Sequence, residues 1–247
     1  MLAATHGHAD IVAGLLDAPS DIEAKSRSGA TALSLSVRGC HEKVVRLLLA
    51  KGASISVPVA ENEPQLVHAA AHCPAAVTEA LLARGERADT ADRQQRTPLW
   101  HACNRGHEET VSLLLQHRAS IDLADDQGQT PLHRSLEGGH GKIARQLIER
   151  GSNVERKSAG GNSAMMLAAR AGLPAVIEAL LAKKADLDAR NEQGYSALML
   201  AAQAGHADVV KLLLAAGADK DLRNKRREKA VDLADASGHA AIAAVLK

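Results

Sequence analysis

The chain has 247 residues, 46% of them hydrophobic, yet it contains no Phe, one Trp and one Tyr. Its formal net charge of +1 excludes the broad basic surface of a general nucleic-acid binder. Its three cysteines show no paired CxxC spacing, which excludes a zinc ribbon and indicates no disulfide framework. No apolar run approaches the roughly 20 residues that span a bilayer, and the N-terminus lacks the pattern of a signal peptide. We expect an aliphatic core of closely packed helices.

Aliphatic residues recur at a fixed interval of 33 positions, without insertion or deletion, at Leu33, Leu66, Leu99, Leu132, Met165, Leu198 and Val231. A fixed period of this length is typical of repeat proteins, in which each unit contacts only its neighbours. In chain order the register predicts a partial unit, six complete units and a C-terminal cap: 1–24, 25–57, 58–90, 91–123, 124–156, 157–189, 190–222 and 223–247. We expect them to form a single domain, 1–247.

The unit at 124–156 shows the predicted elements most clearly. Asp125-Asp126-Gln127-Gly128 is a turn signal, and Thr130-Pro131 supplies an N-cap and a first helical residue. A short helix then ends at Gly138-Gly139, and a second helix with aliphatic residues at helical spacing ends at Gly151. Each unit is therefore predicted to be a turn followed by two helices.

These elements resemble the ankyrin repeat, which consists of a turn, a TPLH helix start, a Gly-His link and a second helix with the pattern V-V-x-x-L-L-L. The helix start appears as Thr97-Pro98-Leu99 and Thr130-Pro131-Leu132-His133, and more weakly as Ser163-Ala164-Met165 and Ser196-Ala197-Leu198. The resemblance covers the whole chain. It implies an all-α ankyrin-repeat solenoid of about eight stacked helix-turn-helix units with short turn or hairpin fingers.

The unit at 58–90 departs most from this pattern. Asn62 replaces the turn glycine, Glu63-Pro64-Gln65 replaces the helix start, and His72-Cys73-Pro74 replaces the Gly-His link. We expect an irregular finger there.

Histidines at the link between the two helices share one position of the repeat: His8, His41, His107, His140, His206 and His239. The resemblance implies that they make structural hydrogen bonds to the neighbouring link. Packed helices lie ~8–10 Å apart, whereas zinc–nitrogen bonds are ~2 Å long, so ligands one repeat apart are not expected to share a metal ion.

The cysteines are not expected to carry chemistry. Cys40 and Cys73 share a repeat position, so we expect their Cα atoms to be too far apart for a disulfide, beyond ~7 Å. Cys103 takes the place of a small buried alanine and is predicted to be a packed thiol. The sequence has no P-loop, no dinucleotide-binding glycine motif and no HExxH motif. We therefore predict no catalytic residues, no cofactor and no metal.

Two polar features leave alternatives open. His68, His101 and Arg134 share a position of the first helix where the family usually has an apolar residue. They are either variable half-buried positions or a polar track near a binding face. The basic run at Arg223–Arg227 is either the polar turn of the capping unit or a signal for nuclear import or an anionic surface.

In ankyrin domains the turn fingers and the exposed side of the first helix line a concave groove. The positions that face such a groove, together with the two aromatic residues, give the predicted partner-binding set: Arg93, Arg96, Trp100, Asn104, Arg105, Asp126, Gln129, His133, Arg170 and Tyr195. Trp100 and the arginines around it are hot-spot residue types, although Trp100 could instead pack against the unit at 124–156.

The leading prediction is a non-catalytic protein-interaction module, either a scaffold or a target-recruiting domain. Basic residues in one unit and acidic residues in the next favour a protein or peptide partner of mixed charge. The alternative is a regulatory or recognition segment of a larger enzyme, channel or effector. We expect no small-molecule substrate, a monomer, and an intracellular, cytoplasmic location, with the nucleus as the alternative if Arg223–Arg227 is an import signal.

Overall fold

The computed structural model describes residues 1–61 and 63–247. These residues form two compact units, Met1–Asp126 and Gln127–Lys247. Their regular structure is helical, apart from an isolated β-bridge between Ala60 and Glu63. The predicted all-α class is confirmed.

The first unit contains four helix pairs: α1 (Leu2–Thr5), α2 (Ala9–Asp17), α3 (Ala32–Arg38), α4 (Glu42–Ala50), α5 (Gln65–His72), α6 (Ala75–Ala83), α7 (Pro98–Arg105) and α8 (Glu108–Gln116). The first helices of successive pairs pack against one another in the order α1, α3, α5, α7. The second helices pack in the order α2, α4, α6, α8. Each pair therefore covers the apolar face of the pair before it, which one unit cannot bury alone.

The second unit repeats this arrangement with α9 (Pro131–Glu137), α10 (Gly141–Glu149), α11 (Ala164–Arg170), α12 (Pro174–Ala182), α13 (Ala197–Ala204), α14 (Ala207–Ala215), α15 (Ala230–Ala236) and α16 (Ala240–Leu246). A 3-10 turn at Ala159–Gly161 lies in the turn before α11. The odd-numbered helices of this unit pack in one series and the even-numbered helices in another.

Hydroxyl side chains start most of the first helices. The side chains of Thr31, Thr97, Thr130, Ser163 and Ser196 each accept a hydrogen bond from the backbone N–H three residues later. Such N-caps satisfy a donor that the helix itself cannot satisfy. The turn preceding each first helix is called a finger below.

The core follows the 33-residue register. Leu33, Leu66, Leu99, Leu132, Met165 and Leu198 are almost completely buried. Val231, the last member of the series, is only half-buried. Alanines and valines fill the spaces between these side chains, so the helices pack closely without large aromatic residues.

The expected role of the link histidines is confirmed at three links. Ring nitrogens of His41, His107 and His206 lie 2.8–3.0 Å from the backbone carbonyl oxygens of Thr5, Ala70 and Arg170 in the preceding repeat. These hydrogen bonds connect the links of successive repeats.

The expectation that Cys40 and Cys73 lie too far apart for a disulfide is wrong. Their Cα atoms are 5.2 Å apart and the two sulfurs are bonded. The prediction took the spacing of helix axes, whereas both residues lie in the links between paired helices, where the two Cα atoms are closer together than packed helix axes are. Cys103 is a free, buried thiol, as predicted. Burial raises the pKa of that thiol well above its usual range.

Candidate functional site

The predicted partner-binding residues differ widely in exposure. In the first unit, Arg93, Arg105 and Asp126 are exposed, and Arg96 and Asn104 are half-buried. In the second unit, Arg170 is exposed and Tyr195 is half-buried. The other three predicted residues, Trp100, Gln129 and His133, are buried.

Trp100 must therefore be removed from the predicted contact surface. Its side chain is 6% exposed, because the residue lies in the first turn of α7 and its indole turns into the protein. The ring packs edge-on against His101, with centroids 5.1 Å apart, and the Arg96 guanidinium carbon lies 5.4 Å from its centroid. The indole stabilises the finger through its contacts with His101 and Arg96, and the Arg96 side chain covers the ring.

His133 and Gln129 need the same correction. His133 is 1% exposed. Its Nδ1 accepts from the backbone N–H of Thr130, and its Nε2 donates to the carbonyl of Arg156 at 2.9 Å. The TPLH histidine thus ties the helix start to the following finger. It serves the fold and offers no surface to a partner.

A buried carboxylate organises the finger that carries Arg93. Asp92 accepts hydrogen bonds from Arg96 Nε at 2.7 Å and from His101 Nε2 at 3.0 Å, as well as from the backbone N–H groups of Gln94 and Arg96. Burial alone would raise the pKa of Asp92, but the hydrogen bonds from His101 and Arg96 outweigh it and hold the pKa below its usual value. Arg96 is therefore engaged within the finger.

The three members of the suggested polar track make local contacts. His101 binds Asp92, a ring nitrogen of His68 lies 3.2 Å from the Glu63 carboxylate, and Arg134 forms an ion pair with Glu137. For His101, the half-buried structural alternative is the one that the contacts support.

A cleft of about 580 Å³ opens beside this finger, in the first unit. Its walls include Ile55 and Pro58 from the finger before α5, and Arg93 from the finger before α7. Gln65, at the start of α5, and Glu86, after α6, also line the cleft. It thus lies at the irregular unit 58–90, although the predicted turn residue Asn62 is outside the described residues.

Glu86 caps the N-terminus of α5, which lacks an N-cap side chain of its own. Pro64 stands where five other units have Thr or Ser, and it has no side chain that can cap α5. Glu86 Oε1 accepts a hydrogen bond from the backbone N–H of Leu66 at 3.3 Å instead. A carboxylate at this end of a helix is also favoured by the helix dipole.

Two buried acceptors at the cleft have no hydrogen-bond partner among the described residues: Gln65 Oε1 and Glu86 Oε2. The Gln65 amide nitrogen donates to the carbonyls of Ile55 and Val57, at 3.4 and 2.7 Å, which fixes the amide orientation. Gln65 is 0% exposed. Unsatisfied buried acceptors are costly, so a ligand that donates hydrogen bonds would be stabilised here.

Sequence reasoning missed these two residues, although the register contains the signal. Glu86 occupies the repeat position of Ala53, Ala119, Ser152, Ala185 and Ala218, which are all small and buried. Gln65 occupies that of Ala32, Pro98, Pro131, Ala164, Ala197 and Ala230. Polar side chains at two positions that are otherwise small mark the cleft.

The Glu86 carboxyl is expected to make stability depend on pH. Burial raises its pKa from 4.5 to about 7, against the opposing hydrogen bond from Leu66. Between these values the folded chain holds the proton more tightly than the unfolded chain, so stability falls as pH rises from about 4.5 to 7. Relative to a Glu86→Ala variant, the wild type is expected to lose on the order of 2–3 kcal/mol over this interval.

Urea unfolding of both proteins at several pH values measures this difference. The comparison cancels the contributions of the other titrating groups, because the two proteins differ only at position 86. Alanine is chosen because most other units have it at the equivalent position. A stability difference that stays constant from pH 4.5 to 8 would show that Glu86 is not desolvated.

Comparison with protein families identifies the repeats. The model of the family "Ankyrin repeats (3 copies)" matches residues 1–59, 66–158 and 151–224. A search of curated protein sequences finds no match. Among the described residues, no helix has both the length and the apolar character that crossing a bilayer requires. The matched segments cover most of the chain and agree with the stacked helix pairs and capped helix starts, and the chain belongs to the ankyrin repeat family.

Proposed function

We propose that the chain is a non-catalytic module that binds a partner protein or peptide on the face formed by the fingers and first helices. Ankyrin repeats generally mediate protein–protein interaction. The observation that carries the proposal here is the cleft in the first unit, with two buried acceptors and no intrachain donor for them among the described residues.

The chemistry of the cleft favours a basic side chain of the partner. Gln65 Oε1 can only accept hydrogen bonds, and the Glu86 carboxylate accepts them and carries negative charge once its proton is lost. An ammonium or guanidinium group supplies several donors and a matching charge. A lysine or arginine of an extended peptide therefore fits the cleft.

Exposed residues beside the cleft suggest the rest of the contact. Arg93 lines the cleft and forms an exposed ion pair with Glu61 at 2.6 Å. Such exposed pairs contribute little to stability, so a partner can replace Glu61 at small cost. Arg105 and Asp126 are exposed in the same unit. A partner segment with one basic residue for the cleft and acidic residues for the arginines matches this pattern.

The second unit contributes the remaining predicted contacts. Arg170 is exposed at the end of α11, and Tyr195 is half-buried in the finger before α13. We retain both as contact residues in the proposal. Arg96 and Asn104 are retained as half-buried positions whose outer atoms a partner can reach.

Selection of peptides from a random displayed library on the immobilised chain at pH 8 tests the cleft. The enriched sequences are expected to share a lysine or arginine. They are expected to bind a Glu86→Gln variant at least about tenfold more weakly, since removing a charged partner costs roughly 1.5–3 kcal/mol. The variant keeps the size of the side chain, and circular dichroism checks its fold.

Two controls separate the cleft from general charge effects. Lys43→Glu changes an exposed charge on α4, which contributes no residue to the cleft lining, and is expected to leave binding unchanged. Arg87→Ala tests whether the exposed Arg87 at the rim of the cleft competes for Glu86, in which case the variant binds the peptides more tightly. Enriched peptides that lack basic residues, or that bind Glu86→Gln as well as the wild type, would contradict the proposal.

A further inference from the structure

Cys40 and Cys73 are the two exceptions at an otherwise uniform position of the repeat. The corresponding link residues are Gly7, Gly106, Gly139, Gly172, Gly205 and Gly238. Those glycines have positive φ angles, and Cys40 also has a positive φ, of 54°. A side chain in this left-handed region costs conformational energy that glycine avoids. The backbone conformation therefore favours glycine over cysteine at position 40. This indicates that the chemistry of the thiol is the reason for the cysteine.

His68 completes a cluster with the two cysteines. The two sulfurs and a ring nitrogen of His68 all lie within 4.8 Å of one another. The Nδ1 of His68 lies 3.2 Å from Glu63 Oε1. Its Nε2 is buried and has no hydrogen-bond partner among the described residues. This is the arrangement of a metal-binding histidine, whose second nitrogen is held by a carboxylate.

The three ligand side chains suit a divalent cation of borderline softness. Two thiolates and one imidazole are ligands that Zn²⁺ prefers in tetrahedral sites. With bonds of ~2.0–2.3 Å, ligand atoms in such a site lie roughly 3.5–3.8 Å apart. This spacing requires the disulfide to open and the two sulfurs to separate. The ring of His72 lies 4.8 Å from that of His68, which leaves the fourth position to His72 or to water.

We propose that, in the reduced chain, Cys40, Cys73 and His68 bind Zn²⁺, and that the disulfide is the metal-free oxidised form. Reduction by a dithiol transfers two electrons and two protons to the sulfurs and converts the dithiol to its own disulfide. Metal binding then releases the two thiol protons. His72 and Cys73 also line a cleft of about 390 Å³, which gives the ion a route to the site.

Residues one repeat apart lie closer together at these links than the sequence predicts, as the two cysteines show. Ligands one repeat apart were taken to be as far apart as helix axes. The links approach more closely, and His68, on α5, reaches the link from the side.

Titration with Co²⁺, followed by competition with Zn²⁺, tests the proposal. After reduction with a phosphine, the chain is expected to bind one Co²⁺ with the sulfur-to-metal charge-transfer band of a thiolate site and the visible bands of tetrahedral Co²⁺. Zn²⁺ is expected to displace it. The oxidised chain is expected to show no charge-transfer band, even if exposed histidines bind Co²⁺.

Matched variants assign the ligands. Cys40→Gly restores the residue found at most links and is expected to fold, yet to lose the charge-transfer band. His68→Leu introduces the apolar residue type usual at this position and is expected to weaken Co²⁺ binding at least tenfold. Cys103→Ala removes the free buried thiol, which is not part of the cluster, and is expected to bind as the wild type does. A reduced wild type with no more charge-transfer absorption than Cys40→Gly would overturn the proposal.

Discussion

A Trp100→Ala variant is expected to unfold with about 3–5 kcal/mol less free energy than the wild type. The indole is 6% exposed and supports the finger through Arg96 and His101. Alanine would leave a cavity beneath Arg96, and the contacts around Asp92 would lose their support. Chemical unfolding followed by circular dichroism measures the change.

A second aromatic residue gives the control for this prediction. Tyr195 is half-buried in a finger of the second unit, and Tyr195→Ala is expected to cost clearly less than Trp100→Ala. A Trp100→Ala variant that kept the stability of the wild type and lost only partner binding would contradict this prediction and make Trp100 a contact residue.

Leu114→Ala is expected to lower the free energy of unfolding by about 2–5 kcal/mol. Leu114 is 0% exposed on α8, where the even-numbered helices of the first unit pack in series. Because a repeat cannot bury its own apolar face, the loss of amide protection is expected to extend from α8 to α6, which packs against it. Hydrogen exchange of the backbone amides measures this spread.

Leu123→Ala is the matched control, since Leu123 is 41% exposed in the same unit. Its effect is expected to stay within about 0.5 kcal/mol. Equal stability losses at Leu114 and Leu123, or protection lost only within α8, would contradict the packing described here.

The sequence predicts the repeats well, because their position depends on short-range chemistry. The leucines at 33-residue intervals are in the core, and Thr97 and Thr130 cap the helices that were expected to begin there. The capping residue, the glycine turn and the apolar face lie within a few residues of one another. Local reasoning is therefore sufficient for them.

The site was harder to predict, because it depends on where side chains turn and how closely links approach. Trp100 lies on the expected helix but turns into the protein, and repeat phase alone does not distinguish the two orientations. Glu86 caps a helix that starts 21 positions earlier, at Gln65. Cys40 and Cys73 lie in successive links, whose Cα atoms are 5.2 Å apart, and the helix spacing does not predict this close approach.

The burial of Trp100 also determines which variants can test binding. Any variant that includes Trp100→Ala is expected to lose stability, so lost binding would have two explanations. Arg93 and Arg105 are exposed, and reversing their charges leaves the core intact. Lys43, on α4, and Arg84, directly after α6, offer an equal charge change in the same unit, and both are exposed.

The most direct test of the proposed binding face is affinity capture by three forms of the chain, with mass spectrometry and a measured Kd for the captured protein. The forms are the wild type, Arg93→Glu with Arg105→Glu, and Lys43→Glu with Arg84→Glu. We predict a partner that binds the wild type and the Lys43/Arg84 variant equally and is lost from the Arg93/Arg105 variant. A partner lost only from the Lys43/Arg84 variant would place the binding surface on the second helices and contradict the account.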